Sequence, residues 1–175
     1  MIKRYVVPAH PDHIPYLAEH MSPADVAELY ASAAVSPYGG LMKSLEASVL
    51  AWTGMVSGPH PDPRGREHDT RPVCMWGVSP IDILGGVGSP WLLGTDELPH
   101  HAKTFLKLNR QYIPKMLGLF PKLVNFADVR HVISIRWLKR LGFTFDAHPV
   151  PFGPCSIPFY RFQMEKNQCA YQLQL

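Results

Sequence analysis

The chain has 175 residues and a formal net charge of only +3. This length suits a single domain with a sizeable hydrophobic core. The weak charge, together with the lack of any long run of Lys or Arg, gives no support to a specific nucleic-acid-binding protein.

The cysteines and the apolar runs bear on the cellular compartment. Cys74, Cys155 and Cys169 are odd in number and lack a CxxC spacing, which is atypical of a disulfide-linked secreted domain. No apolar run approaches the roughly 20 residues that cross a bilayer. Only three residues separate Arg4 from Pro8, too few for the apolar core of a signal peptide. We therefore expect a cytoplasmic protein that does not enter a membrane.

The N-terminal third of the chain predicts a strand, three helices and a second strand. The first strand is rich in β-branched and aromatic residues. Ser22-Pro23 is typical of a helix cap followed by a first helical turn, so it begins the second helix. Pro37-Tyr38-Gly39-Gly40 predicts a loop before the third helix. The strands are expected at 2–7 and 49–56, and the helices at 14–21, 24–33 and 41–48.

The middle of the chain predicts a hairpin, a further strand and a long helix. Residues 57–72 carry prolines, glycines and charges without periodicity, so they form a loop that leads to a strand at 73–78. The next strand, at 83–93, is interrupted by glycines. Thr95 is the expected N-cap of the long helix that follows. Pro114, inside that helix, is expected to kink or divide it.

Residues 124–145, VNFADVRHVISIRWLKRLGFTF, predict a strand, a helix and another strand in one compact unit. Gly142 is expected to end the helix as a left-handed cap residue. Four apolar residues recur at a spacing of three, which places them on one helical face. They are Val132, Ile135, Leu138 and Leu141.

The order of these elements resembles the GCN5-related N-acetyltransferase (GNAT) superfamily, and SIRWLKRLGF is similar to its last helix and Gly-Phe turn. The resemblance covers residues 1–164 as a single domain. It implies an α/β (α+β) fold with a mixed, twisted sheet of about six to seven strands and about four flanking helices. In that family the sheet splays apart between two strands, which correspond here to about 88–93 and 123–127.

The resemblance also implies a cofactor site. In the family, acyl-coenzyme A lies in the splay with its pyrophosphate on the amides that open the next helix, where free N–H groups favour an anion. Acetyl-CoA is therefore the expected cofactor if one is bound at all. Its contacts would then be Leu92, Leu93, Gly94, Thr95, Ser134 and Trp137.

Three stretches are similar, more closely, to phage proteins related to the internal virion protein A of short-tailed phages. They are 8–17 (PAHPDHIPYL), 88–98 (GSPWLLGTDEL) and 134–145 (SIRWLKRLGFTF). This resemblance implies a role in virion assembly or as an interaction module, in the host cytoplasm or in the virion. The partner would be a phage or host protein, or a second copy in a homodimer.

Departures from the enzyme pattern favour a degenerate or non-catalytic member. Active members carry Arg/Gln-x-x-Gly-x-Gly/Ala before the long helix, whereas this place has one glycine, Gly94, and two acids, Asp96 and Glu97, which repel a pyrophosphate. The Asn that opens the next helix falls on His131. The Tyr that protonates the leaving thiolate falls on Leu138, which has no proton to give. The alternative is an active acetyl-CoA-dependent N-acetyltransferase on an amine or protein substrate, with His131 or a water as base.

Other side-chain groups have competing interpretations. His10, Asp12 and His13 suggest a metal hypothesis, but a solvated turn is favoured because metal geometry needs three or four convergent groups. No metal site is predicted. Cys74 and Trp91 are expected in the core. A basic face of the last helix is expected to be solvated, and a phosphate or acidic-partner patch is the alternative. It consists of Arg130, Arg136, Lys139 and Arg140.

The C-terminal residues 165–175 are expected to form a separate tail. A polar break is followed by apolar residues at every second position, which is the pattern of a half-buried strand. The tail is predicted to pair along a sheet edge or to lie on an apolar groove of its own domain or of a second copy.

Overall fold

The computed structural model describes residues 2–59 and 69–166. Its strands join one mixed sheet with the order β1-β2-β3-β4-β5-β8-β6, and β7 also pairs with β8. The strands are β1 (Lys3–Pro8), β2 (Leu50–Gly58), β3 (Asp69–Asp82), β4 (Val87–Gly94), β5 (Lys122–Asp128), β6 (Thr144–Phe145), β7 (Val150–Phe152) and β8 (Ile157–Glu165). The helices are α1 (Ile14–Glu19), α2 (Pro23–Ala33), α3 (Pro37–Ala47), α4 (Ala102–Leu119) and α5 (Val132–Leu141), with 3-10 turns at Pro11–His13 and Leu98–His101.

The predicted α/β class and mixed sheet are confirmed. Among the described residues the sheet has eight strands and the α-helices number five, slightly more than expected. The additional strand is the short β7, which pairs with β8 as the predicted β6 also does. Its three residues are too few to show a period in the sequence. No helix among the described residues is long and apolar enough to cross a membrane.

Two serines with a following proline begin α2 and α3. The Ser22 hydroxyl accepts the Asp25 N–H at 3.1 Å, and the Ser36 hydroxyl accepts the Gly39 N–H at 3.1 Å. Each serine therefore satisfies an amide that the first helical turn leaves without a partner. The loop predicted at 37–40 is wrong, because the Ser36 cap makes it the first turn of α3.

The sheet separates two hydrophobic clusters. Along the central strand β3, alternate side chains point to opposite faces, so that Cys74 and Trp76 join one cluster and Met75 joins the other. The α4–α5 cluster contains Phe105, Ile113, Met116 and Leu117 of α4, with Ile135, Trp137, Leu138 and Leu141 of α5 against it. The α1–α3 cluster contains Ile14, Leu17, Met21, Leu41, Met75 and Leu93.

The long helix differs from its prediction at its start, and it is continuous through Pro114. It begins at Ala102 and not after Thr95, because the 3-10 turn Leu98–His101 intervenes. Pro114 does not divide it, and the helix continues to Leu119 with Pro114 on its exposed side.

The predicted splay lies between β4 and β5. These strands are paired in parallel only at Val87 with Lys122 and at Gly88 with Leu123. A Cβ atom at Gly88 would meet the Phe120 ring at 2.7 Å, so glycine is needed where the two strands still touch. Beyond this point the strands are no longer paired, so side chains from the helices can lie between the carboxyl-terminal ends of β4 and β5.

The end of α5 agrees with its sequence. Gly142 has a φ of 100°, in the left-handed region that favours glycine. The amides of Gly142 and Phe143 donate to Lys139 and Leu138, which closes the helix as predicted. The expected tail lies almost wholly outside the described residues: Glu165 belongs to β8, and residues 167–175 are not described.

A matched pair of substitutions tests this core. Leu117 is 2% exposed in the α4–α5 cluster, whereas Leu84 is 100% exposed in the turn between β3 and β4. Leu117→Ala should lower the free energy of unfolding by about 2–5 kcal/mol, because it leaves a cavity. Leu84→Ala should change it by less than about 0.5 kcal/mol. Urea denaturation of both variants measures the difference, and equal losses would contradict the packing described.

Candidate functional site

The ends of β4 and β5 meet the starts of α2 and α5 around the buried carboxylate of Asp25. This carboxylate accepts three hydrogen bonds. The Ser22 hydroxyl donates to Oδ2 at 2.7 Å, the Gly94 N–H donates to Oδ2 at 3.2 Å, and His131 Nε2 donates to Oδ1 at 3.0 Å. Asp25 therefore joins the last residue of β4 to the residue that caps α5.

His131 is the N-cap of α5, and its ring is buried. Its Nδ1 accepts the Ser134 N–H at 3.3 Å, so the proton of the neutral ring lies on Nε2, which faces Asp25. Burial alone would lower the pKa of His131. The hydrogen bond to Asp25 and the negative charges of Asp25, Glu28 and Asp128 outweigh burial and raise that pKa above its usual value.

Glu28 lies one helical turn beyond Asp25 on the same side of α2. Its Oε1 accepts the Asp128 N–H at 3.2 Å, and its Oε2 is 3.8 Å from His131 Nε2. Burial raises the pKa of Glu28 to about 7, although His131 and the Asp128 amide act in the opposite direction. We call Asp25, Glu28 and His131 the acid–histidine cluster.

Two further contacts fix the β5 side of the splay. The Asp128 carboxylate accepts the Arg130 N–H at 2.8 Å and Nε–H at 2.9 Å, and these bonds keep its pKa low despite burial. Deeper in the splay, Asn125 Nδ2 donates to the Pro90 carbonyl at 2.9 Å. The first contact is local to the end of β5, whereas Asn125 connects β5 to β4 after their backbone pairing has ended.

The acid–histidine cluster has the ligand types of a metal site, and one ligand atom from each residue lies within 4.8 Å of the others. The tautomer of His131 argues against this use. A metal on Nε2 would require the proton on Nδ1, where it would face the Ser134 N–H instead of accepting it. The arrangement is therefore that of a hydrogen-bonded cluster.

The amides expected to hold a pyrophosphate have partners within the protein. The Gly94 N–H donates to Asp25, and the Thr95 N–H donates to the Val73 carbonyl at 2.9 Å. The Asp96 N–H donates to the carbonyl of the residue that follows α1, at 3.2 Å. These three successive amides are consequently not free to bind an anion.

The other expected cofactor contacts are divided between the two faces of the sheet. Leu92 and Trp137 pack against the α4–α5 cluster, whereas Leu93 belongs to the α1–α3 cluster. The indole N–H of Trp137 is buried and has no hydrogen-bond partner among the described residues. The Ser134 N–H donates to Nδ1 of His131, the N-cap residue of α5. Of the six residues, Gly94 and Ser134 are hydrogen-bonded to the acid–histidine cluster through their amides.

Glu97, one of the two acids after β4, is buried in an ion pair that the sequence did not reveal. Its carboxylate binds the Arg71 guanidinium through two hydrogen bonds of 2.7 and 2.6 Å, and it accepts His101 Nε2 at 2.8 Å. Arg4 Nε in turn donates to His101 Nδ1 at 2.9 Å. Burial opposes the charge of Glu97, but these partners lower its pKa. The sequence predicted a loop at 57–72 that includes Arg71, whereas β3 already begins at Asp69, so no sequence pattern indicated this buried cation.

The remaining sequence candidates have structural roles. His10 and His13 cap the 3-10 turn, since His10 Nδ1 accepts the Asp12 N–H and His13 Nδ1 accepts the His10 N–H, both at 3.3 Å. Cys74 is fully buried as expected, and burial raises the pKa of its thiol. Trp91 packs against the α1–α3 cluster as expected, and its indole N–H donates to Ser48 at 2.8 Å.

Comparisons with known proteins support the fold. No protein-family profile matches the sequence, and no curated protein matches it either. One similar solved structure is spermidine N-acetyltransferase from Vibrio cholerae in complex with CoA and spermine. It has a TM-score of 0.64 and 8% sequence identity, and the match covers 95% of this chain and 98% of that chain. An IAA acetyltransferase from Bacillus cereus has a TM-score of 0.58 and 10% identity, covering 93% and 99%.

A probable acetyltransferase of the GNAT family from Chromobacterium violaceum is similar too, with a TM-score of 0.63 and 11% identity, covering 94% of this chain and 88% of that chain. The chain thus has the acetyltransferase fold over nearly its whole length. Identities of 8–11% show this fold and carry no activity with them.

The raised pKa of Glu28 predicts how stability depends on pH. The folded state binds the proton of Glu28 more tightly than the unfolded chain does, so the stabilising contribution of Glu28 is fully present below pH 4.5 and is lost as pH rises towards about 7. Glu28 contributes a loss on the order of 3 kcal/mol across this window. His131, whose pKa is also raised, contributes with the same sign as pH rises above 6.5.

Urea denaturation of wild type and Glu28→Gln between pH 4.5 and 8 measures this effect. The variant stays neutral and should lose most of the decline below pH 7, while keeping the Asp128 N–H partner through its amide oxygen. Glu46→Gln, an exposed position on α3, is the matched control and should keep the wild-type profile. Identical profiles for wild type and Glu28→Gln would show that Glu28 is not held as described.

Proposed function

We propose that this protein uses the acetyltransferase fold as an interaction module and does not bind acyl-coenzyme A. The observation that carries the proposal is the hydrogen bond from the Gly94 N–H to Asp25, because a cofactor in the splay would need this end of β4. Asp25 also binds His131, so a ligand would have to displace a connected network and not a single side chain.

Electrostatics also argues against a pyrophosphate after β4. The loop carries exposed Asp96 and buried Glu97. Glu97 accepts from Nε and Nη2 of Arg71, and the Gly58 carbonyl accepts from Nη1, so this arginine is not available to a phosphate. An entering anion would meet the Asp96 carboxylate and amides that already have partners. The residues present therefore do not fit the phosphate end of acyl-coenzyme A.

The acid that would protonate the leaving thiolate of coenzyme A is missing as well. Leu138 stands where the family has a proton-donating tyrosine, and its side chain packs against the α4–α5 cluster. The neighbouring Trp137 has an indole N–H, which does not give up its proton as an acid. The cofactor contacts inferred from resemblance remain a prediction, and these residues weigh against it.

The setting and the partner rest on sequence resemblance. The similarity to internal virion proteins of short-tailed phages suggests a role in virion assembly, with a phage or host protein or a second copy as partner. This part of the proposal awaits a pull-down or a determination of the oligomeric state.

Calorimetry with acetyl-CoA tests the proposal directly. Titration up to about 1 mM should give no binding heat, which corresponds to a dissociation constant weaker than the millimolar range. The Vibrio cholerae spermidine N-acetyltransferase, solved in complex with CoA, serves as the positive control. Saturable binding in the micromolar range would overturn the proposal.

One observation favours acetyl transfer to an amine as a second candidate. Glu28, with its pKa of about 7, takes up and releases a proton near neutral pH, as the base of such an enzyme must. A panel of amines and peptides with labelled acetyl-CoA tests it. Turnover that is lost in Glu28→Gln and kept in Glu46→Gln would support this candidate, and a panel without turnover would remove it.

A further inference from the structure

Helices α4 and α5 lie next to each other on the same face of the sheet. Both pack against the α4–α5 cluster. Arg110 Nη2 donates to the carbonyl of Arg140 at 2.8 Å, which joins the middle of α4 to the end of α5. Their outward sides therefore form one continuous surface.

This surface carries only positive charges. Neither helix contains an Asp or Glu, so the exposed cations have no acidic neighbour on their own helices. Together the helices hold seven of the 17 Lys and Arg residues of the chain, all exposed. We call these residues the basic face: Lys103, Lys107, Arg110 and Lys115 of α4, and Arg136, Lys139 and Arg140 of α5.

Within the described parts of the chain, the basic face also has no acidic partner on other elements. No carboxylate of the described residues lies within 4.0 Å of any of its charged groups. Four of the described cations on other elements do have acidic partners; for example, Lys122 lies 2.9 Å from Glu165 and Arg71 lies 2.6 Å from Glu97. The charge of the basic face is therefore available to an external anion, and its field adds over two helices.

A cavity with aromatic walls opens at the end of this face, between α5, β6 and β8. It has a volume of about 510 Å³, and Lys139, Thr144, Phe145 and Tyr160 are among its lining residues. The rings of Phe145 and Tyr160 lie edge to face with centroids 6.3 Å apart. Asp146 also lines the cavity, and its carboxylate lies 3.6 Å from Arg161.

We propose that the basic face and this cavity bind a single-stranded nucleic acid, with the phosphates along the basic face and a base in the cavity. Cations without interspersed acids suit a repeating phosphate backbone, and aromatic rings beside them suit an unstacked base. A duplex keeps its bases stacked and out of reach of the cavity. A purely acidic run of a protein would use the cations, but its carboxylates have no flat ring to stack on Phe145 and Tyr160.

The cations of α5 were visible in the sequence as a basic helix face, whereas the small net charge of the chain concealed the contribution of α4. The acids of the chain lie on other elements, so they cancel the basic face in the sum but not in space. The proposed binding does not depend on the nucleotide sequence, because contacts to phosphates and stacking on aromatic rings do not distinguish one base from another. It is independent of the state of the splay, and its failure would leave the proposed function untouched.

Fluorescence anisotropy with a labelled thymidine oligonucleotide of about 20 residues tests the electrostatic half of the proposal. Binding should weaken as salt rises, since each neutralised phosphate releases a counterion. Lys107→Glu combined with Arg136→Glu, both at exposed positions, should weaken binding at least about tenfold and reduce the salt slope. Lys43→Glu on α3 makes the same change of charge outside the basic face and should have little effect.

A second probe, which leaves the protein unchanged, tests the cavity. An abasic oligomer of the same length keeps the phosphates and removes the bases, and it should bind at least about fivefold more weakly. Tyr160→Leu should remove this difference between the two oligomers. No binding at low salt would overturn the proposal. Equal binding of the abasic oligomer, or equally strong competition by polyglutamate, would overturn it in favour of an acidic-protein surface.

Discussion

The carboxylate of Asp25 is the interaction on which the arrangement of the splay depends. It accepts from Ser22, Gly94 and His131, and thereby holds α2, the end of β4 and the start of α5 in one geometry. Each of these donors would be left without this partner if the carboxylate were removed, at a cost of about 1–3 kcal/mol for each buried group. Glu28 repeats the connection to β5 through the Asp128 amide.

The same network supports our proposal that the acetyltransferase fold of this chain does not bind acyl-coenzyme A. A binding site keeps polar groups free for a ligand, whereas this chain satisfies them with its own side chains and carbonyls. Gly94 and Thr95 give their amides to Asp25 and Val73, and Arg71 gives its guanidinium to Glu97. The fold keeps its splayed sheet, because backbone pairing between β4 and β5 still ends after two residues of each strand.

Local signals in the sequence predicted local structure well. The apolar spacing in α5 and the glycine at its end identified that helix and its cap, since both depend on neighbouring residues. The serine-proline signal was recognised at Ser22 but not at Ser36, where Gly39 and Gly40 suggested a loop. Gly40 is in fact a contact residue, because a Cβ there would meet the Leu29 side chain at 2.8 Å.

Long-range pairs could not be predicted. Asp25 and His131 are 106 residues apart, and Arg71 and Glu97 are 26 apart, so no periodicity connects them.

Hydrogen exchange of the Gly94 amide, followed by NMR with and without acetyl-CoA, tests the central claim most directly. A closed splay predicts strong protection that acetyl-CoA does not change. Rapid exchange of this amide alone, or protection that appears only when acetyl-CoA is added, would contradict it.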